Sequence, residues 1–206
     1  MKNAALILVD IQNDFVEGGA LAVPDGLSVV PVANRMMEVF DLVVATQDWH
    51  PANHRSFASQ NEGIDVGSVF DLNGVPQVAW PDHCIENTAG AEFCSNVNHP
   101  AFTRVFRKGT DRKIDSYSGF FDNDHQKSTG LTEYLLEKKI TSVYVMGLAT
   151  DYCVKFTAFD SVSQGFETHL IVDGCRGVNL NPGDVDASIK DMKLVGVRLI
   201  QSDSLT

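Results

Sequence analysis

Short apolar runs alternate along the chain with longer stretches whose apolar positions recur every three or four residues. Six runs predict β-strands: Ala4 to Val9, Leu42 to Ala45, Thr103 to Phe106, Ser142 to Met146, Thr168 to Val172 and Val197 to Ile200. Four periodic stretches predict helices: Leu27 to Val39, Leu131 to Glu137, Asp151 to Ser163 and Val185 to Leu194. Most of the predicted strands lack a polar alternation, which indicates that both faces of the sheet are covered.

This alternation of strands with helices predicts βαβ crossovers, because neighbouring parallel strands need a long connection between them. We therefore expect an α/β fold, a three-layer αβα sandwich around a mainly parallel, six-stranded central sheet. Residues 1 to 206 are predicted to form one domain, with a long irregular segment at about 48 to 100 that is rich in Gly and Pro. A connection of this length in a compact domain usually has a function.

Composition narrows the classes of function that this chain can have. The 16 basic and 27 acidic residues give a net charge of −11, which repels polyanions. The opening apolar run is too short for a secretory leader or a membrane span, and the four cysteines are not spaced like a disulfide framework. These features predict a cytoplasmic protein that binds neither nucleic acid nor membranes, and they leave the formation of a homo-oligomer open.

Reactive side chains follow four of the predicted strands. Asp10 follows the first, Asp48 the second and Lys108 the third, and Cys153 lies in the segment after the fourth. Because ligands bind outside the carboxyl ends of parallel strands, we expect these four residues to converge. Each has an ordinary explanation alone, since Asp is common in turns, Lys on surfaces and Cys in cores. Together, a carboxylate, a cation and a thiol form a nucleophile with a base and an electrostatic partner.

Cys153 is predicted to lie in the first turn of a helix, behind Thr150 and Asp151. Unpaired backbone N–H groups and the positive end of the helix dipole favour a thiolate there, and Lys108 acts in the same direction. We therefore expect the pKa of the Cys153 thiol to lie below the usual value of about 8.5. The backbone N–H of Cys153 is also available to stabilise an oxyanion.

One carboxylate and two imidazoles form a candidate metal site. Asp48 and His50 stand two positions apart, and His83 follows in the irregular segment. Such a set leaves positions open for water or substrate and suits Zn²⁺, Fe²⁺ or Mn²⁺ without choosing among them. His54 is close enough in sequence to be an additional ligand or an outer partner of the site. Cys84 forms no metal-binding pair with another cysteine, so buried packing is the better interpretation of it.

Five stretches resemble the nicotinamidase branch of the isochorismatase-like cysteine hydrolases, in family order and over nearly the whole chain. They are LVDIQNDF at 8–15, DWHP at 48–51, WPDHC at 80–84, RKG at 107–109 and GLATDYCV at 147–154. Asp10, Lys108 and Cys153 match the catalytic triad of that family. The resemblance implies an amidohydrolase that converts nicotinamide to nicotinate and ammonia through a cysteinyl thioester, with Asp10 moving the proton.

The same resemblance implies the remaining parts of the site. The backbone N–H of Ala149 joins that of Cys153 in an oxyanion hole, with a cis peptide between Leu148 and Ala149. One divalent metal ion (Zn, Fe or Mn) on Asp48, His50 and His83 holds the pyridine nitrogen, and aromatic side chains line the substrate pocket: Phe15, Trp80 and Tyr117. The alternatives are a related amidohydrolase of the N-carbamoylsarcosine type, attack by a metal-bound hydroxide, and a non-catalytic ligand carrier.

Overall fold

A computed structural model describes residues 1–206, and a sheet of six parallel strands runs through it. The strands are β1 (Ala4–Val9), β2 (Leu42–Asp48), β5 (Arg104–Lys108), β6 (Ser142–Leu148), β7 (Glu167–Arg176) and β8 (Arg198–Ile200). Their order in the sheet is β5-β2-β1-β6-β7-β8, and every neighbouring pair is parallel. Each strand corresponds to one predicted strand, so the predicted α/β fold is confirmed.

Four α-helices flank the sheet: α1 (Val29–Met37), α2 (Leu131–Glu137), α3 (Lys155–Ser163) and α4 (Asp184–Leu194). Helix α1 turns a buried stripe toward β1, β6 and β7, and this stripe includes Val29, Ala33 and Met36. The chain leaves β1 toward β2 and leaves the adjacent strand β6 in the opposite direction, toward β7. Right-handed crossovers in opposite directions place α1 and α3 on opposite faces and open a crevice between β1 and β6.

The strands β1 and β6 lie at the centre of the hydrophobic core. All six residues of β1 are buried. At the end of β6, Gly147 has a φ of +128°, and a Cβ atom there would lie 2.1 Å from the carbonyl oxygen of Val9. Only glycine fits this backbone conformation and this close approach. The glycine therefore allows the carboxyl ends of β1 and β6 to meet at the crevice.

Strand β2 continues beyond its apolar run, whose predicted end is Ala45. Thr46, Gln47 and Asp48 are buried and pair with β5, with Asp48 directly opposite Lys108. Because these three residues are polar, the hydrophobic pattern of the sequence does not predict that the strand continues through them. The register therefore places the Asp48 carboxylate of β2 beside the Lys108 ammonium of β5.

The irregular segment contains an antiparallel hairpin that the sequence pattern does not predict. Its strands are β3 (Val69–Leu72) and β4 (Val75–Val78). The two turn residues, Asn73 and Gly74, have φ values of 57° and 88°. An Asn-Gly pair with positive φ at both positions is typical of a tight hairpin turn. None of the helices has both the length and the apolar character that a membrane crossing requires.

Candidate active site

The ammonium group of Lys108 is the centre of a buried cluster at the carboxyl ends of the strands. Its Nζ atom lies 2.9 Å from Oδ2 of Asp10 and 2.5 Å from Oδ1 of Asp48. The same atom lies 3.3 Å from Sγ of Cys153 and donates a hydrogen bond of 2.9 Å to the carbonyl oxygen of Ser116. The structure thus brings together the acid, the cation and the thiol that were singled out from the sequence.

The carboxylate of Asp10 is held from both sides at the end of β1. The hydroxyl of Thr46 donates a hydrogen bond of 2.6 Å to Oδ1, while Lys108 pairs with Oδ2. Burial raises the pKa of Asp10, and the charge of Lys108 opposes this rise. A carboxylate with a raised pKa accepts a proton more readily than an exposed one.

The surroundings of Cys153 differ from those that the sequence predicts. The residue lies in a π-type turn, Thr150–Val154, which precedes α3, rather than in the first turn of an α-helix. Burial raises the pKa of the Cys153 thiol well above its usual range, and Lys108 opposes this while the Asp10 and Asp48 carboxylates add to it. The expectation of a lowered pKa is therefore wrong, because burial outweighs the nearby cation.

The residues predicted for an oxyanion hole lie beside one another. The peptide bond between Leu148 and Ala149 is cis, as the resemblance implies. Ala149 and Cys153 line the same pocket, together with Asp48 and His83. Two backbone N–H groups of the turn, those of Tyr152 and Val154, donate to the carbonyl oxygen of Ala149 and fix the turn.

Asp48, His50 and His83 form a compact group of metal-binding side chains. Their ligand atoms lie within 4.8 Å of one another. The Nδ1 atoms of His50 and His83 lie 2.8 Å from the carbonyl oxygens of Gly109 and Pro81. Because a carbonyl only accepts hydrogen bonds, each Nδ1 carries a proton, which leaves Nε2 as the ring nitrogen that can bind a metal.

This donor set fits a divalent metal ion. Nε2 of His50 is buried and has no hydrogen-bond partner, and it lies 3.5 Å from Oδ2 of Asp48. Gly109 allows the His50 ring to pack against the RKG segment, because a Cβ at position 109 would lie 2.3 Å from the ring. Backbone carbonyls that hold the outer nitrogens of two imidazoles are the usual support of a metal site.

His54 packs beside the metal-binding group with both of its ring nitrogens already engaged. Nδ1 lies 2.7 Å from the hydroxyl of Ser56, and Nε2 lies 3.3 Å from the carbonyl oxygen of Ile114. Its ring centre is 4.4 Å from that of His50. Burial lowers the pKa of His54 to about 4, so the ring is neutral near pH 7. His54 therefore supports the His50 ring rather than offering a free nitrogen.

Aromatic side chains form the walls of the pocket above Cys153. Phe15, Trp80 and Tyr117 all line it, as the resemblance implies. The indole N–H of Trp80 donates a hydrogen bond of 3.1 Å to the hydroxyl of Tyr117, which fixes both rings. Sequence reasoning missed four further wall residues, Leu21, Asp115, Tyr152 and Val178. Of these, Tyr152 lies inside the GLATDYCV stretch, whereas the other three have no local signal.

Known proteins resemble this chain over nearly its full length. The Isochorismatase domain family matches residues 4–204. The nicotinamidase of Escherichia coli (strain K12) is 48% identical over 203 residues, which covers 97% of this chain and 95% of that protein. The solved Acinetobacter baumanii nicotinamidase pyrazinamidease has 45% identity and a TM-score of 0.97, and the match covers 100% of this chain and 99% of that chain.

Two further solved structures contain bound molecules. PnC1 from L. infantum in complex with nicotinate has 33% identity and a TM-score of 0.86, with 98% of this chain and 93% of that chain covered. The pyrazinamidase of Pyrococcus horikoshii in complex with zinc has 35% identity and a TM-score of 0.80, with 97% and 99% covered. The family match and these identities over nearly the whole length show that this chain belongs to the isochorismatase family.

Proposed function

We propose that this protein is a nicotinamidase, which hydrolyses nicotinamide to nicotinate and ammonia. The observation that carries the proposal is the Lys108 cluster, in which one ammonium contacts Asp10 at 2.9 Å and Cys153 at 3.3 Å. Aromatic walls above the thiol suit a flat pyridine ring. The nicotinamidase relatives, and the nicotinate bound in the solved PnC1 structure, support this choice of substrate.

In the proposed first step, the sulfur of Cys153 attacks the amide carbon while Asp10 takes the thiol proton. A C–S bond forms, and the carbonyl electron pair moves to oxygen, where the backbone N–H groups of Ala149 and Cys153 stabilise it. The C–N bond then breaks, and Asp10 gives its proton to the departing ammonia. Because burial raises the pKa of the thiol, transfer to Asp10 during the attack avoids a free buried thiolate.

In the proposed second step, Asp10 deprotonates a water molecule that attacks the thioester carbon. The C–S bond breaks, the sulfur recovers its proton from Asp10, and nicotinic acid is released, which ionises to nicotinate and gives its proton to the ammonia. Lys108 remains an ammonium throughout. Burial opposes its charged form, but Asp10 and Asp48 raise its pKa well above the usual value. Its role is to hold the Asp10 carboxylate in the ionised, proton-accepting form.

Asp48, His50 and His83 would hold the metal ion, which when bound holds the pyridine nitrogen of the substrate. The zinc in the Pyrococcus horikoshii relative supports Zn²⁺ as an ion that such a site accepts. Phe15, Trp80 and Tyr117 would enclose the ring. We also propose that the chain works as a single domain, since one cluster of buried apolar residues extends from Ala4 to Val197.

The test is release of ammonia from nicotinamide by the purified, Zn²⁺-loaded protein, with N-carbamoylsarcosine as the competing substrate. Replacing the nucleophile by Cys153→Ala is expected to reduce kcat by about 10³-fold or more. The matched control is Cys175→Ala, which removes a buried thiol from β7 outside the Lys108 cluster and is expected to keep kcat. Mass spectrometry of the quenched parent enzyme should show a nicotinoyl adduct on Cys153.

Two outcomes would contradict parts of this proposal. Absence of ammonia release from nicotinamide, with release from N-carbamoylsarcosine, would overturn the assigned substrate. Substantial hydrolysis by Cys153→Ala, with no adduct in the parent, would replace the thioester by attack of a metal-bound hydroxide.

A further inference from the structure

Asp115 is a buried carboxylate that the proposed reaction does not use. It is 3% exposed and lines the same pocket as Cys153 and His83. The backbone N–H of Ser116 donates to Oδ1 at 2.8 Å, and Nε2 of Gln77 donates to Oδ2 at 2.9 Å. Both donors are neutral, so these hydrogen bonds fix the direction of the carboxylate without balancing its charge.

The nearest imidazoles are those of His50, which belongs to the metal-binding group, and His54, which packs against His50. A carboxylate oxygen of Asp115 and ring nitrogens of His50 and His54 all lie within 4.8 Å of one another. His54 supplies no charge, because the backbone N–H of Ser56 donates to its Nδ1 at 3.2 Å, so Nδ1 carries no proton, and its Nε2 faces the carbonyl oxygen of Ile114. Asp115 therefore faces the metal-binding group from outside it.

The buried charges around this group do not balance. Three carboxylates, those of Asp10, Asp48 and Asp115, lie in the site with a single ammonium, that of Lys108, and all four residues are less than 5% exposed. With the imidazoles neutral, the formal charges of these four groups leave two negative charges, and an uncompensated buried charge is strongly destabilising. A divalent cation on Asp48, His50 and His83 would cancel this remainder.

We propose that Asp115 sets the affinity of the site for its divalent metal without being one of the ligands. Its carboxylate forms no salt bridge with a lysine or arginine and lies beside His50, so its negative charge attracts a cation bound there. This inference depends on the metal site of the proposed function. Groups outside the ligand shell commonly change metal affinity by about 10- to 100-fold.

The experiment compares binding of Zn²⁺ to the metal-free parent and to Asp115→Asn, which removes the charge, keeps the shape and gives up one of the two hydrogen bonds. In a chelator-buffered titration, we expect the Kd of the variant to rise by about 10- to 100-fold. At one fixed Zn²⁺ concentration, the rise in Tm on adding the metal should also be smaller, because stabilisation by a ligand depends on its Kd. Neither measurement needs a substrate.

Asp160→Asn is the matched control. Asp160 is also a buried carboxylate, but it lies in α3 and does not line the pocket of Cys153, so its variant should bind Zn²⁺ like the parent. If Asp115→Asn does not fold, Asp115→Glu and Asp115→Gln form a second pair that differs in charge but not in length. The charged member is expected to bind Zn²⁺ more tightly.

Equal Kd values for the parent and folded Asp115→Asn, or for the Glu and Gln variants, would overturn the inference. A parent that binds no divalent metal would overturn it as well. Failure of the proposed function would give a different result from failure of the Asp115 inference. A parent that binds Zn²⁺ more tightly than Asp115→Asn, yet releases no ammonia from nicotinamide, would contradict the assigned substrate and leave the role of Asp115 standing.

Discussion

At the scale of single residues, Asp151 connects the nucleophile to a wall of the substrate pocket. Its carboxylate accepts hydrogen bonds from the backbone N–H groups of Val178, at 2.9 Å, and Asn179, at 2.6 Å. Gly177 permits this approach, since a Cβ there would lie 2.9 Å from Oδ1 of Asp151. Val178 lines the pocket together with Cys153. Asp151, two positions before the nucleophile Cys153, therefore fixes the position of Val178 in the pocket wall.

We expect Asp151→Asn to raise the KM for nicotinamide by about tenfold and to change kcat much less. The amide nitrogen of the new side chain faces one of the two N–H donors, and loss of a buried hydrogen bond costs about 1–3 kcal/mol. Steady-state kinetics with the Zn²⁺-loaded enzyme would measure both constants.

The control for this change is Asp184→Asn. The Asp184 carboxylate accepts a hydrogen bond from the N–H of Asn181 but does not line the pocket, so both constants should stay as in the parent. An unaltered KM in folded Asp151→Asn would show that Val178 does not depend on this carboxylate.

The sequence predicted the reactive residues more successfully than their chemical state. Asp10, Lys108 and Cys153 could be found because each stands after a strand or within a recognisable stretch. The direction of the pKa shift of Cys153 could not, since it depends on complete burial of the cluster. Asp115 was missed for a similar reason, because its partner Gln77 lies on another segment of the chain.

At the scale of elements, the adjacent strands β6 and β7 place two aromatic rings directly opposite each other. Tyr144 pairs with His169 in the register of the sheet, and the rings stack at 4.3 Å with an angle of 4° between them. Burial lowers the pKa of His169, although the nearby carboxylate of Glu167 opposes this. The folded sheet therefore favours the neutral ring.

The lowered pKa of His169 predicts that this residue contributes to the pH dependence of the free energy of unfolding. Because the pKa of His169 is lower in the folded state, its contribution is present above the unfolded value of about 6.5 and is lost as the pH falls below it. His169→Phe keeps the ring stack and removes the titrating group. We expect the free energy of unfolding of this variant, from urea denaturation, to fall less between about pH 7.5 and 5.5 than that of the parent.

Tyr144→Phe is the control, because it keeps both the stack and the titrating His169. It should retain the pH dependence of the parent. If His169→Phe and the parent lost stability in parallel over this range, the proposed contribution of His169 would be wrong.

The existence of the regular elements was predictable, whereas their ends and the hairpin were not. The six apolar runs and four periodic stretches each correspond to a strand or a helix. Burial of the polar residues Thr46, Gln47 and Asp48 depends on pairing with β5, which the local pattern does not contain. In the hairpin, Val69 is exposed and the strands are short, so only the Asn73-Gly74 pair offered a signal.

At the scale of the whole molecule, the candidate site draws on four strands that are distant in the chain. Asp10 follows β1, Asp48 and Lys108 end β2 and β5, and Cys153 lies in the turn after β6. Alternation of elements predicts that the strands are parallel and that their carboxyl ends share one edge. The order of the strands is set by long-range pairing, so it could be learned only from the structure.

The central position of β1 has a consequence for synthesis of the protein on the ribosome. This strand emerges early, but one of its two neighbours, β6, begins only at Ser142. Until Leu148 has left the exit tunnel, a wholly apolar strand has an open edge, which invites pairing with other nascent chains. Translation therefore passes through a long interval in which a chaperone that covers Ala4–Val9 would protect the growing polypeptide from aggregation.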